Sequence, residues 1–231
     1  MIAKIISAPL FGVFFLAGCA EMGTTPVVTA PADQPAASRL TTEPAVEKPA
    51  PDPALVAMYA ARPDGERTLP AVDVTQFHRE LLRNVVDYPT TEAPGTVVVD
   101  TRGPFLYLVE PGGKATRYGI AVGREGFGWT GSGTIARHAQ WPTWTPPPEM
   151  IARDPHVAKW KDGQPGGVAN PLGARALYIY FDGRDSGFRI HGTNTPKSIG
   201  WAASSGCFRM LNQDVIDLYD RVPMGAKVVV L

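Results

Sequence analysis

Between Thr96 and Val122 three runs rich in β-branched and aromatic residues fall within fewer than thirty positions, and that crowding limits the fold more than any other feature of the chain. The runs are Thr96 to Asp100, Phe105 to Glu110 and Ala115 to Val122, punctuated by Arg102-Gly103-Pro104 and Pro111-Gly112-Gly113-Lys114. Strands this close can be joined only by tight turns, whereas a parallel pair needs a crossover of about a dozen residues or more. The stretch therefore predicts an antiparallel meander, and no βαβ alternation follows it. Further on, Ala174 to Phe181 alternates, with Leu177, Ile179 and Phe181 on one face and Tyr178 and Tyr180 on the other. Phe188 to His191 and Lys227 to Leu231 read as strands. Asn212 is placed to cap a helix near Asp214 to Arg221, with Val215, Leu218, Tyr219 and Val222 on one face and Pro223 as its stop. Val74 to Val86 has the spacing of a helical turn or short helix at the domain edge. The expected fold is mainly β: a sandwich or partly closed barrel of antiparallel and mixed strands with one or two short helices.

The first fifty residues belong to a different regime. Lys4 precedes an apolar run from Ile5 to Leu16 that ends in Leu16-Ala17-Gly18-Cys19. A basic start, a short apolar stretch and small residues before a cut describe an export signal rather than a membrane span. The LAGC ending resembles the lipobox of bacterial lipoproteins. Cys19 is then either lipidated, with Ala20 favouring the outer membrane and a periplasmic location, or discarded with the signal. Pro26 to Pro53 is proline-rich and without apolar periodicity, which makes it a disordered, semi-rigid linker. The expected organisation is signal and lipobox over 1–19, linker over 20–53, an extension packing on the domain over 54–93, and a catalytic domain over 94–231. Lys plus Arg and Asp plus Glu both number 22, so bulk electrostatics offers nothing to a nucleic acid.

Cys19 and Cys207 are the two cysteines of the chain. Either fate of Cys19 leaves Cys207 without a disulfide partner in a compartment where paired thiols are usually oxidised. It lies in His191 to Arg209, HGTNTPKSIGWAASSGCFR, where glycine follows the histidine and precedes the cysteine. A thiolate is a strong nucleophile, a nearby imidazole can lower its pKa, and the resulting imidazolium can protonate a leaving amine. The backbone N–H groups of Gly206 and Cys207 are candidate oxyanion donors. Arg209, two residues on, either binds a substrate carboxylate or holds the cysteine loop. No set of residues fills a zinc site, and no cofactor is expected. The glycine-rich stretch Gly123 to Gly133 lacks the lysine and following helix of a phosphate loop. It reads as a loop beside a cleft. The segment from Gln140 to Met150, with Trp141 and Trp144 among four prolines, either lines a groove or caps the core.

The HGTN motif, Pro196, Ser198-Ile199-Gly200 and Ser204-Ser205-Gly206-Cys207-Phe208-Arg209-Met210 together resemble the signature of the L,D-transpeptidase catalytic domain family, the YkuD type. The likeness runs from Pro94 to Leu231 and includes the VVVD run, the Gly-Arg-Glu-Gly loop, the Trp-Thr-Pro-Pro segment and Asn170-Pro171-Leu172-Gly173. It implies Cys207 as nucleophile, His191 as base, the Gly192 carbonyl orienting the imidazole, and Gly206 with Cys207 as the oxyanion hole. Arg209 and Ser204 would support the loop, with Ser205, Asn194 and Trp144 as further loop-supporting or substrate-binding candidates. The implied substrate is a peptidoglycan tetrapeptide stem, whose terminal D-Ala is released from a cysteine acyl-enzyme. The acceptor amine belongs to a second stem, giving a 3–3 crosslink, or to a wall-anchored protein. A carboxypeptidase acting on the same stems and a non-catalytic peptidoglycan-binding lipoprotein are the alternatives. Two positions depart from the family pattern: Thr130-Gly131-Ser132-Gly133 stands where Thr-Pro-x-Gly is common, and Ser205 where many relatives have histidine.

Overall fold

The computed structural model describes residues 50–123, 129–204 and 206–231. The leader with Cys19, nearly all of the linker, residues 124–128 and Ser205 lie outside them. In chain order the elements are α1 (Pro53–Met58), β1 (Arg62–Asp64), β2 (Arg67–Leu69), β3 (Asn84–Asp87), β4 (Val97–Asp100), β5 (Phe105–Glu110), β6 (Lys114–Gly123) and β7 (Gly131–Gln140). These are followed by α2 (Pro148–Arg153), β8 (Arg175–Phe181), β9 (Arg184–His191), β10 (Ala202–Ser204), β11 (Phe208–Met210), α3 (Asn212–Arg221) and β12 (Lys227–Val230).

The meander β4–β5–β6 forms as its residue pattern requires, and the sheet continues from it until it closes. The ring runs β6–β11–β9–β8–β7–β12–β4–β5 and returns to β6 through the β5–β6 ladder. Of the two architectures expected from the residues, the barrel is the one adopted. Its neighbours are antiparallel except β12 with β4 and β11 with β9, which run parallel. β3 and β10 add to β6 from outside the ring. Strand alternation sends Val97, Leu106, Ile120, Leu177, Ile179 and Ile190 into one core. α3 closes that core with Val215 and Leu218, joined by Val222 just after its end, and all three are fully or almost fully buried. Truncating a residue such as Ile179 to alanine in this interior costs about 2–5 kcal/mol.

Three local expectations are corrected. Val74 to Val86 holds helical turns only as far as Leu81, the 3-10 turns Val74–Gln76 and Arg79–Leu81, and its end is a strand, β3, paired with the near half of β6. A strand edge was available to the β-branched pair Val85-Val86, and pairing it satisfies backbone groups that a short helix would leave open. The glycine-rich loop is shorter than Gly123 to Gly133, since Gly123 ends β6 and Gly131 onward belongs to β7 and pairs with β12. Asn212 does not cap α3, whose N-cap is Leu211.

The N-terminal residues from Pro53 are tied to the barrel at several points. Leu55, Tyr59, Val74 and Leu82 pack with Ala121, Ile199 and Leu211. Asp64 grips the buried Arg175 with two hydrogen bonds of 2.7 and 2.8 Å, and Gln213 donates to the Pro70 carbonyl at 3.0 Å. No helix among the described residues is long and apolar enough to cross a membrane.

Candidate active site

His191 ends β9 and Cys207 immediately precedes β11. The two strands run parallel, with Phe208 opposite Ile190 and Arg209 opposite His191. Phe208 and Ile190 point into the core, so alternation turns Arg189, His191 and Arg209 to the outer face, with Cys207 at the head of the same row. A sixteen-residue excursion in sequence thus becomes a neighbouring-strand relation in space.

The imidazole is only 4% exposed, and its Nδ1 lies 2.6 Å from the Gly192 carbonyl oxygen. A carbonyl can only accept, so Nδ1 carries the proton and the Nε2 lone pair is left for chemistry. Burial pulls the His191 pKa down to about 4; the Gly192 carbonyl favours the cation, while the charges of Arg209 and Arg189 oppose it. The ring is therefore neutral at pH 7.

The Cys207 thiol is free and faces the Gly187 carbonyl at 3.9 Å. Burial raises its pKa, the backbone N–H of Arg189 and the guanidinium charges of Arg189 and Arg209 oppose the rise, and the Asp185 carboxylate adds to it. Desolvation outweighs the two cations, and the resting pair is thiol and neutral imidazole, without a standing ion pair.

The loops around the pair are held by short side chains. Ser204 Oγ donates to the Cys207 carbonyl at 2.6 Å and accepts the Gly206 N–H at 3.2 Å. Gly206 has φ 115°, in the left-handed region where a Cβ is strained. Its N–H is committed to Ser204, so of the two expected oxyanion donors the Cys207 N–H is the one left to meet a substrate. On the histidine side Asn212 Oδ1 accepts from the N–H groups of Ala174 and Thr193, at 3.0 and 3.3 Å, and Nδ2 donates to the Thr193 carbonyl at 2.9 Å. A Cβ on Gly192 would sit 2.1 Å from Asn212 Oδ1 and one on Gly173 2.2 Å from it, so both positions require glycine for close approach. Asn212 thus sets the carbonyl that orients the imidazole.

The family model for the L,D-transpeptidase catalytic domain matches residues 94–230. The chain belongs to the L,D-transpeptidase family. The probable L,D-transpeptidase ErfK/SrfK of Escherichia coli K12 is 34% identical over 152 residues, covering 62% of this chain and 46% of that protein. The probable L,D-transpeptidase YbiS of the same organism is 32% identical over 150 residues, covering 61% and 45%. The chain thus spans about half the length of the curated relatives it matches. A Brucella melitensis crystal structure described as a probable carnitine operon oxidoreductase is 48% identical, covers 69% of this chain and 99% of that one, and has a TM-score of 0.47. An L,D-transpeptidase from Mycobacterium smegmatis is 18% identical over 59% of this chain and 58% of its own, with a TM-score of 0.45.

The structure brings His191, Gly192, Ser204, Gly206, Cys207 and Arg209 of this L,D-transpeptidase family member to one face. Arg209, half-buried on β11, also pairs through its backbone with Ala121 of β6. Asn194 is exposed and ties the loop to the Ala169 carbonyl at 2.9 Å. Trp144 makes a backbone bridge to Gln164 on the segment that the buried Asn170 clasps. No hydrogen bond or ring contact among the described residues joins it to the pair. Ser205 and Cys19 fall outside the described residues. Among those residues no three His, Cys, Asp or Glu side chains gather as a metal site. Arg189 and Asn212 were not singled out as site residues by sequence. The one signal for Arg189 was its place two residues before His191 on an alternating strand; for Asn212 the signal read as a helix cap.

Proposed function

We propose that the protein is an L,D-transpeptidase that acts on peptidoglycan tetrapeptide stems through a Cys207 acyl-enzyme. The observation that carries this reading is the parallel register of β9 and β11, which sets a buried Nδ1-protonated imidazole and a free thiol on one outer face. In this reading the thiol leaves the Gly187 carbonyl and turns to the Nε2 lone pair. Sulfur then bonds to the stem carbonyl carbon, and the proton passes to Nε2. The Cys207 N–H supports the oxyanion. The C–N bond breaks, and the imidazolium returns the proton to the leaving D-Ala amine. An acceptor amine reverses the sequence, giving up a proton to Nε2 and displacing the thiol. Because burial disfavours the imidazolium, the proton transfer is coupled to the arrival of substrate and not completed beforehand. The acceptor is a second stem, giving a 3–3 crosslink, or a wall-anchored protein. Export followed by lipidation at Cys19 would tether the enzyme to the periplasmic side of the outer membrane.

A carbapenem added to the full chain is expected to increase the mass of the Cys207 peptide by one acyl group. Absence of the adduct, or an equal adduct in Cys207→Ala, refutes the cysteine assignment. Disaccharide tetrapeptides then separate transfer, which yields crosslinked dimers, from hydrolysis, which yields tripeptide alone. For the anchor, Cys19→Ala should move the protein from the membrane to the soluble fraction.

A further inference from the structure

A row of side chains leads away from the thiol across the outer face of the barrel. Arg189 of β9 is paired with Tyr178 of β8, and Tyr178 with Arg137 of β7. The Arg189 guanidinium carbon lies 4.6 Å from the Tyr178 ring centroid and that of Arg137 lies 4.3 Å from it. Both distances are within cation–π range, so the ring fixes the position of two cations.

The two cations are not equivalent. Arg189 is held by Asp185 through two hydrogen bonds of 3.0 Å each, and its charge is spent on that carboxylate. Arg209 has partners of its own. Arg137 is exposed and lies over Tyr178, and among the described residues no carboxylate pairs with it. A planar guanidinium, oriented by stacking and left without an anion, is suited to bidentate capture of a carboxylate from solution.

Its placement fits a particular carboxylate. Neighbouring strands are about 4.8 Å apart, so β8 is about 10 Å and β7 about 14 Å from the strand that carries the thiol, and a β7 guanidinium 4.3 Å from the β8 ring lies between the two. A carbonyl poised for attack sits about 3 Å from sulfur. One further residue adds about 3.5 Å, and an N–H···O contact to a carboxylate about 3 Å. Together these lengths come to about 10 Å, the near end of that interval, which a flexible arginine stem can meet. The carboxylate one residue beyond the scissile bond is the C-terminus of a tetrapeptide stem. We propose that Arg137, positioned by Tyr178, binds the terminal carboxylate of the acyl donor and so selects stems that end one residue past the bond to be broken. The inference rests on the acyl-transfer reading above and adds to it the group that measures donor length.

The test uses full-chain protein with Cys207→Ala, which cannot turn the donor over, titrated calorimetrically with a disaccharide tetrapeptide carrying either a free C-terminal carboxylate or a C-terminal amide. The free acid is expected to bind at least about tenfold more tightly than the amide. Arg137→Gln in the same background should bring the two affinities together by weakening the acid alone, and Arg137→Lys should restore part of the difference. In the protein with its cysteine intact, Arg137→Gln should raise KM for the acid while kcat changes little. Equal affinities in the Cys207→Ala protein, or an acid preference that survives Arg137→Gln, overturn the proposal and leave the acyl-transfer reading to stand on turnover. Equal weakening of acid and amide marks a structural role and also overturns it. If the protein with its cysteine intact processes neither donor and takes no carbapenem, the functional reading falls, and this inference with it.

Discussion

On α3, Asp214 and Asp217 are buried or half-buried with partners on every side, whereas on the outer face of β9 and β11 His191 is buried and Cys207 half-buried, with few partners among the described residues. Tyr59 donates to both oxygens of Asp214 at 2.9 Å, and Arg83 lies 3.8 Å from the same carboxylate while pairing closely with Asp217. Tyr118 donates to Asp217 at 2.6 Å, and Arg221 reaches Asp217, Tyr118, Thr116 and Glu110. At Asp217 burial is outweighed by Tyr118 and Arg83, and its pKa falls below the usual carboxylate value. At Asp214 burial wins over Arg83 and Tyr59, and the pKa is pushed up to about 7. His191 has comparable desolvation, and only the Gly192 carbonyl favours its charged form. Networks that satisfy their buried groups hold a fold together, while groups left with an open lone pair or an unspent thiol are reactive.

Replacing His191 with glutamine should break the comparison most sharply. Acylation of Cys207 by a tetrapeptide, measured as kcat/KM, is expected to fall by about 10²–10⁴-fold, with little change in Tm near neutral pH. The pH dependence of stability should also change. The folded-state pKa of His191 is about 4 against an ordinary 6.5, so between those values the unfolded chain holds a proton that the folded one lacks. Stability therefore rises with pH across that window, and the variant should lose this rise.

Next in size is Arg83→Ala, which leaves Asp214 and Asp217 without their shared cation. A loss of about 3–5 kcal/mol in urea denaturation is expected, with kcat/KM per folded molecule within about twofold of wild type. A parallel fall in both would mean that the two regions are not independent.

Ser204→Ala removes the donor to the Cys207 carbonyl and the acceptor of the Gly206 N–H. It should cost about 1–2 kcal/mol of stability by denaturation and also slow carbapenem acylation, since it loosens the turn that presents the thiol. Unchanged acylation would show that Gly206 alone sets the turn.

Asp214→Asn should have the smallest effect, visible in the slope of Tm against pH. In the wild-type fold Asp214 keeps its proton up to about pH 7, while in the unfolded chain it ionises near 3.9. Its contribution to stability is therefore full below that lower value and lost as pH rises to about 7, opposite in sign to that of His191. The variant should expose the histidine slope alone.

Much of this could be read from residues. The β4–β6 meander, the alternation of β8, the apolar face of α3, and the pairing of a histidine with a cysteine were all legible, because each depends on local spacing and residue chemistry. β7 was not, since Ile135 is its one core-cluster residue and its register shifts between Ile135 and Arg137. Asn212 was misread because a cap and a tertiary clasp use the same side chain, and its partners lie 19 and 38 residues away. Arg137 and Tyr178 gave no joint signal, as their pairing exists only across two strands.

By itself the sequence determined the fold class and the family and singled out the two candidate reactive residues, because those follow from period, residue chemistry and motif order. The tertiary structure alone decided that the sheet closes, that β9 and β11 run parallel, and that the thiol and imidazole rest uncharged. Closure depends on pairings between strands far apart in the chain, and the charge state on how much water the finished packing leaves beside each group.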